Sequence, residues 1–156
     1  MITLKTKFKD ILKGKVVILG LGNTLRGDDG FGPAVIGMLK DKINAVCYDA
    51  GTTPENYIGK ICKDKPDSIL IIDTGHIDCN PGEYKLLQKA DILQSGLNTH
   101  TMSPVMFIEH LEKGSNAQVH MLCVQPVQIQ FGSEMSDAVK KSLFEVVMLI
   151  KESMYA

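Results

Sequence analysis

The 156-residue sequence lacks a surplus of charge of either sign. It contains 17 Lys and Arg residues against 18 Asp and Glu residues, which gives a formal net charge of −1. Neutralising the phosphates of a nucleic acid requires clustered Lys and Arg, so this balance argues against a nucleic acid as partner. An intrinsically disordered chain is excluded as well, because the hydrophobic fraction of 44% is too high and the net charge too low.

Long hydrophobic runs and paired cysteines are also missing. The apolar runs are far shorter than the ~20 residues that a membrane-spanning helix requires, and residues 1–14 contain no continuous apolar segment typical of signal peptides. The four cysteines form no C-x-x-C pair, and such scattered cysteines favour a reducing compartment. We therefore expect a cytoplasmic protein without a membrane span, in which Cys47, Cys62, Cys79 and Cys123 are small buried hydrophobic residues.

The sequence motifs of several enzyme classes are absent. The glycine-rich segment at residues 20–32 has Leu25 where a dinucleotide-binding G-x-G-x-x-G motif starting at Gly20 requires glycine, and it has no Gly-Lys-Ser/Thr of a P-loop. The adjacent carboxylates of Asp28 and Asp29 would also repel a pyrophosphate. Neither H-E-x-x-H nor G-x-S-x-G occurs, which excludes zincins and hydrolases with a serine nucleophile elbow.

Short apolar segments typical of buried strands alternate along the chain with helical patterns. The predicted strands are residues 15–22, 45–48, 68–73, 83–87 and 117–124. The predicted helices are residues 3–13, 32–42, 53–63, 104–113 and 136–154. This alternation predicts a single α/β domain over residues 1–156, with a mostly parallel sheet covered on both faces. Functional groups in such sheets gather at the carboxyl ends of the strands.

Carboxylates stand after two of the predicted strands. In the loop after the first strand, Asp28 or Asp29 is a candidate N-cap of the following helix, and a second acid in one glycine-rich loop favours a further role, such as metal ligation. Asn23 is expected to brace this loop through its own backbone. Asp73 opens an Asp-Thr-Gly tripeptide like that of aspartic proteases, but its single copy and the helical patterns argue against that class. Turn formation is the plain alternative for Asp73.

A histidine completes this candidate set. His100 lies in the polar segment Asn98-Thr99-His100-Thr101, just before a predicted helix. Histidine is a common metal ligand and general base, although a lone loop histidine more often has no such role. Together, Asp29, Asp73 and His100 form a set of two carboxylates and one imidazole, which suits a divalent ion such as nickel or zinc and leaves coordination positions open.

The segments that carry these residues resemble the nickel-iron hydrogenase maturation endopeptidases. The matching segments occur in the order typical of that family, at residues 20–32, 49–56, 70–74, 80–83, 99–100 and 124–126. They read G-L-G-N-T-L-R-G-D-D-G-F-G, D-A-G-T-T-P-E-N, L-I-I-D-T, N-P-G-E, T-H and V-Q-P. The T-P-E-N and T-H segments are most similar to the branch that serves hydrogenase 3 of formate hydrogenlyase.

The resemblance implies a fold, an activity and a set of site residues. The fold is a three-layer α/β/α sandwich with a twisted five-stranded sheet. The activity is removal of a C-terminal extension from the hydrogenase large-subunit precursor after nickel insertion. Asp29, Asp73 and His100 match the metal-binding positions of the family, and we expect the same three residues to serve catalysis. The nickel is then supplied by the precursor and acts as a recognition element.

Two other functions remain open from the sequence. One is a metal-sensing chaperone that binds the precursor without cutting it, since no catalytic nucleophile is evident. The other is a peptidase of the same fold with a different substrate. Residues 1–14 extend beyond the usual start of the family, and their purpose is also left open.

Overall fold

A computed structural model of the chain describes residues 3–95 and 103–154, which form five strands and six α-helices. The strands are β1 (Val16–Leu21), β2 (Val46–Gly51), β3 (Ser68–Thr74), β4 (Tyr84–Leu87) and β5 (Gln118–Val124). The helices are α1 (Leu4–Ile11), α2 (Phe31–Leu39), α3 (Ile58–Asp64), α4 (Lys89–Ser95), α5 (Pro104–Ser115) and α6 (Asp137–Met154). No helix among the described residues is both long and apolar enough to cross a membrane.

The strands form one sheet in the order β2-β1-β3-β5-β4. All neighbouring pairs are parallel except β4 and β5, which run antiparallel. One face of the sheet packs against α1, α2 and α6, and the other packs against α3, α4 and α5. The predicted α/β class and the three-layer sandwich with a mostly parallel five-stranded sheet are therefore confirmed.

The central strand β3 shows why the sheet needs helices on both faces. All seven of its residues are buried. Ile69 and Ile71 belong to the core beneath α3, α4 and α5, whereas Leu70 and Ile72 belong to the core beneath α1, α2 and α6. Successive side chains of a strand point to opposite faces, so a continuous apolar run such as this one has to be covered on both sides.

Residues 3–15 belong to the packed structure. Phe8 on α1 is fully buried in the core that α1 shares with α2 and α6. The helix begins with a side-chain cap, because the Thr3 hydroxyl oxygen accepts a hydrogen bond from the Thr6 N–H. After α1, the Lys15 N–H donates to Asp67 Oδ2 at 2.7 Å, which ties this segment to the start of β3.

The structure differs from the sequence predictions in three respects, two of them elements and one the burial of the cysteines. The predicted helix at residues 53–63 is a 3-10 turn, Pro54–Tyr57, followed by α3, and Thr53 makes no side-chain cap hydrogen bond. Helix α4 was not predicted, because Ile92 is the one described residue of this short helix that enters the core. All four cysteines are free. The expected burial is confirmed for Cys47 and Cys123, whereas Cys62 and Cys79 are partly exposed.

Candidate active site at the carboxyl edge of the sheet

The carboxyl ends of β1 and β3 lie side by side, with Gly20 opposite Ile72. The chain that leaves β1 folds back over the end of β3. The Thr74 hydroxyl at the end of β3 donates a hydrogen bond of 3.0 Å to the backbone carbonyl of Asp28. The sheet thus brings the segment that contains Asp29 next to the strand end that contains Asp73.

Two glycines permit this close approach. Gly22 has φ +138°, a conformation that side chains disfavour, and a Cβ there would strike the carbonyl oxygen of Asp29. A Cβ at Gly32, near the start of α2, would lie 2.6 Å from the carbonyl oxygen of Ile72. The 3-10 turn Gly27–Gly30, which holds Asp29, is therefore set directly on the ends of β1 and β3.

Asp73 is fully buried at the end of β3. Its Oδ1 accepts a hydrogen bond of 2.7 Å from the Thr74 N–H, and Cys123 stands opposite it on β5. Burial, and then the charge of Asp73, raise the pKa of the Cys123 thiol well above its usual range. Cys123 is therefore protonated at neutral pH and is not a thiolate nucleophile.

Asp29 is more accessible than Asp73. It is half-buried in the 3-10 turn, and its Oδ2 accepts a hydrogen bond of 2.9 Å from the Asn23 N–H. The side chain of Asn23 in turn accepts a hydrogen bond of 2.9 Å from the Leu25 N–H, which confirms the predicted local brace. The loop thus fixes the Asp29 carboxylate beside the strand ends while leaving it partly open to solvent.

The neighbouring acid, Asp28, has a structural position that the sequence did not indicate. Its buried carboxylate accepts hydrogen bonds from the N–H groups of Val127, Gln128 and Ser136, and from the Ser136 hydroxyl, at 2.7–3.0 Å. The N-cap residue of α2 is Gly30, and no side chain caps the helix. The predicted cap by Asp28 or Asp29 is therefore wrong, since Asp28 instead anchors a loop that is remote in sequence.

Gln125 is a second residue that sequence reasoning missed. Its Oε1 accepts a hydrogen bond of 2.8 Å from the Ile77 N–H, and its Nε2 lies 3.2 Å from His76 Nδ1. The Gly75 N–H donates to the Val124 carbonyl in the same region. These contacts hold the segment that follows Asp73. The V-Q-P segment was the one available signal, and it did not reveal which residues the glutamine contacts.

His100 and its loop lie outside the described residues, so the role of His100 stays a prediction. Over residues 3–95 and 103–154, no group of three or more His, Cys, Asp and Glu side chains is arranged to hold a metal ion. Asp29 and Asp73 are the two predicted site residues that the structure describes. Carboxylate oxygens are suitable ligands for a divalent ion, but two carboxylates by themselves fill only part of a coordination shell.

Similarity to known proteins indicates the family of the chain. The family model of the HycI hydrogenase maturation proteases matches residues 35–153. A putative hydrogenase maturation protease of Methanocaldococcus jannaschii is 34% identical over 89% of each chain. The hydrogenase 3 maturation protease of Escherichia coli strain K12 is 31% identical over 81% of this chain and 83% of its own length.

A solved structure gives the same result for the fold. The crystal structure of the [NiFe] hydrogenase maturation protease HycI from Thermococcus kodakarensis superimposes with a TM-score of 0.88. It is 26% identical, and the match covers 96% of this chain and 99% of that chain. The family that the sequence motifs resemble is therefore confirmed, and the chain belongs to the hydrogenase maturation proteases, a family of peptidases.

Proposed function

We propose that the chain removes the C-terminal extension of a nickel-iron hydrogenase large-subunit precursor after nickel has been inserted. The observation that carries the proposal is the meeting of two acidic segments at one sheet edge. The Thr74 hydroxyl, next to Asp73, is hydrogen-bonded to the Asp28 carbonyl, next to Asp29. The family supports a peptidase that acts on a hydrogenase.

In this proposal the nickel belongs to the substrate. Asp29, Asp73 and His100 contact the nickel that the precursor already holds, and an incomplete ligand set is suited to this task because the precursor supplies the remaining ligands. A precursor without nickel then lacks the group that these residues recognise. This explains, within the proposal, why processing follows nickel insertion.

The proposed nucleophile for peptide hydrolysis is a water molecule. The thiol beside Asp73, that of Cys123, is held protonated by its burial and by the Asp73 charge, which raise its pKa. A carboxylate of the site accepts the proton of the attacking water, which is the usual task of a general base. The partly open Asp29 is the better placed of the two carboxylates for contact with water.

The decisive experiment is incubation of the purified chain with nickel-loaded and nickel-free precursor, followed by mass spectrometry of the large subunit. We expect wild type to shorten the nickel-loaded precursor alone. Asp73→Asn should lower the cleavage rate by at least about a hundredfold, because the variant loses a charged nickel ligand and one of the two carboxylates available as general base.

Asp10→Asn is the matched control, since Asp10 is an exposed acid near the end of α1. The chain after α1 contacts the first residue of β3, where the Lys13 N–H donates to the Ser68 hydroxyl. This contact lies at the amino end of the strand, whereas the site lies at the carboxyl ends. Unchanged cleavage is expected for this variant. Wild-type chain that binds the loaded precursor without shortening it would contradict the proposal and favour the chaperone alternative.

A further inference from the structure

Large hydrophobic side chains are exposed on two loops next to the candidate active site. Leu25 is 59% exposed, Val127 54%, Ile129 42% and Phe131 72%. Leu25 belongs to the loop after β1, and the other three belong to the loop between β5 and α6. We call these four residues the apolar loop patch. Large exposed apolar side chains that gather on adjoining loops favour a contact surface, whereas single scattered ones need no explanation.

The two loops are joined to each other and to the site by hydrogen bonds. The Gly132 N–H donates to the Leu25 carbonyl at 2.8 Å, and the Asp28 N–H donates to the Gln128 carbonyl at 2.9 Å. The Asp28 carboxylate in turn accepts hydrogen bonds from the N–H groups of Val127 and Gln128. Asp29, one residue further along the chain, faces the Asn23 backbone. The two loops that carry the patch are therefore contiguous with the loop that holds Asp29.

The hydrogen bonds also set the patch in a defined position. A buried carboxylate with several N–H and O–H donors is a strong anchor. Within the loop, the Ser133 N–H donates to the Gln130 carbonyl, and the Gln128 side chain donates to the Glu134 carbonyl. Side chains carried on such a preorganised loop lose little conformational entropy when a partner binds. This is the behaviour of an anchor surface rather than of a flexible loop tip.

The chemistry of the patch selects the kind of partner. Residues 127–133 read V-Q-I-Q-F-G-S and contain no charged side chain. The exposed charges that flank the patch, Arg26 beside Leu25 and Glu134 after the loop, are one of each sign, so a nucleic acid or a strongly charged protein meets no net counter-charge there. An apolar polypeptide segment buries its side chains against Ile129 and Phe131, while the side-chain amide of Gln130 is a donor and an acceptor for a polypeptide backbone.

From this continuity and this lack of charge, we propose that the apolar loop patch is the docking surface for the protein substrate of the adjacent carboxylate site. The occupant is an uncharged apolar segment of that substrate, held beside the bond to be cut. This inference rests on the proposed function, because the substrate is taken to be the hydrogenase large-subunit precursor. Phe131 and Ile129 are the principal anchors, as large exposed side chains that become buried on binding.

The test measures binding separately from cleavage. The full chain with Asp73→Asn, which slows cleavage and removes one proposed nickel contact from every variant alike, is immobilised, and the affinity for nickel-loaded precursor is measured by interferometry. The same measurement is made after adding Ile129→Ser and Phe131→Ser together, and after adding Phe144→Ser as the matched control. Phe144 is 58% exposed but lies on α6, two turns from its start. Circular dichroism of each variant checks that the chain is folded.

We expect the double variant to weaken precursor binding at least tenfold and Phe144→Ser to change it by less than twofold. In the chain with Asp73 intact, the double variant should raise KM for the precursor while kcat stays within threefold. Equal affinities of the double variant and its parent would overturn the inference, even if wild type cleaves the precursor as proposed. If the chain with Asp73 intact binds the precursor through the patch but never cuts it, the proposed cleavage is overturned. The patch then remains a docking surface for the precursor.

A second copy of the chain is the competing occupant. Sedimentation of the wild-type chain and of the double variant over a range of concentrations distinguishes the two. A monomer in both cases supports docking of the substrate. A wild-type dimer that the double variant converts to monomer would overturn the inference, since the patch would then already be covered.

Discussion

Asp28 and Asp29 are adjacent in the chain but have different environments. The Asp28 carboxylate is buried and accepts hydrogen bonds from three residues of the loop before α6. The Asp29 carboxylate is half-buried and accepts a hydrogen bond from Asn23 in its own loop. The first therefore stabilises the loop before α6, and the second is accessible to a substrate. One peptide unit separates a structural acid from a candidate functional acid.

This difference predicts opposite phenotypes for two equivalent substitutions. Asp28→Asn should reduce the free energy of unfolding by about 3 kcal/mol, because an amide turns one donor group toward the N–H donors and leaves buried groups unsatisfied. Asp29→Asn should cost less than about 1 kcal/mol while strongly reducing cleavage of the precursor. Urea unfolding followed by circular dichroism measures the first effect, and mass spectrometry of the precursor measures the second. Equal losses of stability in the two variants would contradict this assignment.

At the scale of elements, the position of α2 depends on the closeness of its first turn to the sheet. Gly32 lies so near β1 and β3 that an added Cβ would meet the carbonyl oxygens of Leu21 and Ile72. Gly37, later on the same helix, is exposed, and a Cβ there would meet nothing within 4 Å. Close packing therefore requires glycine at position 32, whereas at position 37 glycine only lowers the helix propensity of α2.

Alanine at these two positions should act in opposite directions. Gly32→Ala should destabilise the chain by about 2 kcal/mol, because backbone atoms of two strands have to move to admit the methyl group. Gly37→Ala should stabilise it by about 0.5–1 kcal/mol through better helix propensity. Thermal unfolding of both variants measures these changes. A stabilised Gly32→Ala variant would show that α2 can move away from the strand ends without cost.

At the scale of the whole molecule, a mostly buried histidine couples folding to pH. His120 on β5 is 9% exposed, and burial lowers its pKa below the ordinary 6.5. The unfolded chain therefore binds a proton at His120 more tightly than the folded chain does. The stability that His120 contributes through this difference is fully present above about pH 6.5 and is lost as the pH falls toward the folded-state pKa.

Replacing His120 should make folding less sensitive to acid. We expect the loss of unfolding free energy between pH 7 and pH 5 to be smaller in His120→Gln than in wild type. The measurement is urea unfolding at several pH values. His110→Gln is the control, because His110 is exposed on α5 and the variant should follow the wild-type pH dependence. Parallel curves for all three proteins would show that His120 does not carry this coupling.

Much of the architecture could be predicted from the sequence, because local patterns determine the elements. The apolar run of β3 predicts a strand that is buried on both faces, and the amphipathic repeat of α6 predicts a helix with one buried face. The alternation of such segments predicts a parallel sheet, and the geometry of parallel strands places Asp29 and Asp73 at one edge. Short elements were predicted less well: α4 has too few apolar residues, and the helix after Thr53 begins as a 3-10 turn.

The sequence by itself thus determined the α/β class, the family and the acidic segments that reach the carboxyl edge of the sheet. Only the tertiary structure decided which of the two adjacent acids is buried and which loop it holds. The physical reason is that the partners of Asp28 are separated from it by 99 to 108 residues, so no local pattern records them. The same long-range contacts place Val127, Ile129 and Phe131 beside the site. Their sequence pattern, isolated apolar residues in a loop, does not by itself predict a position or a role.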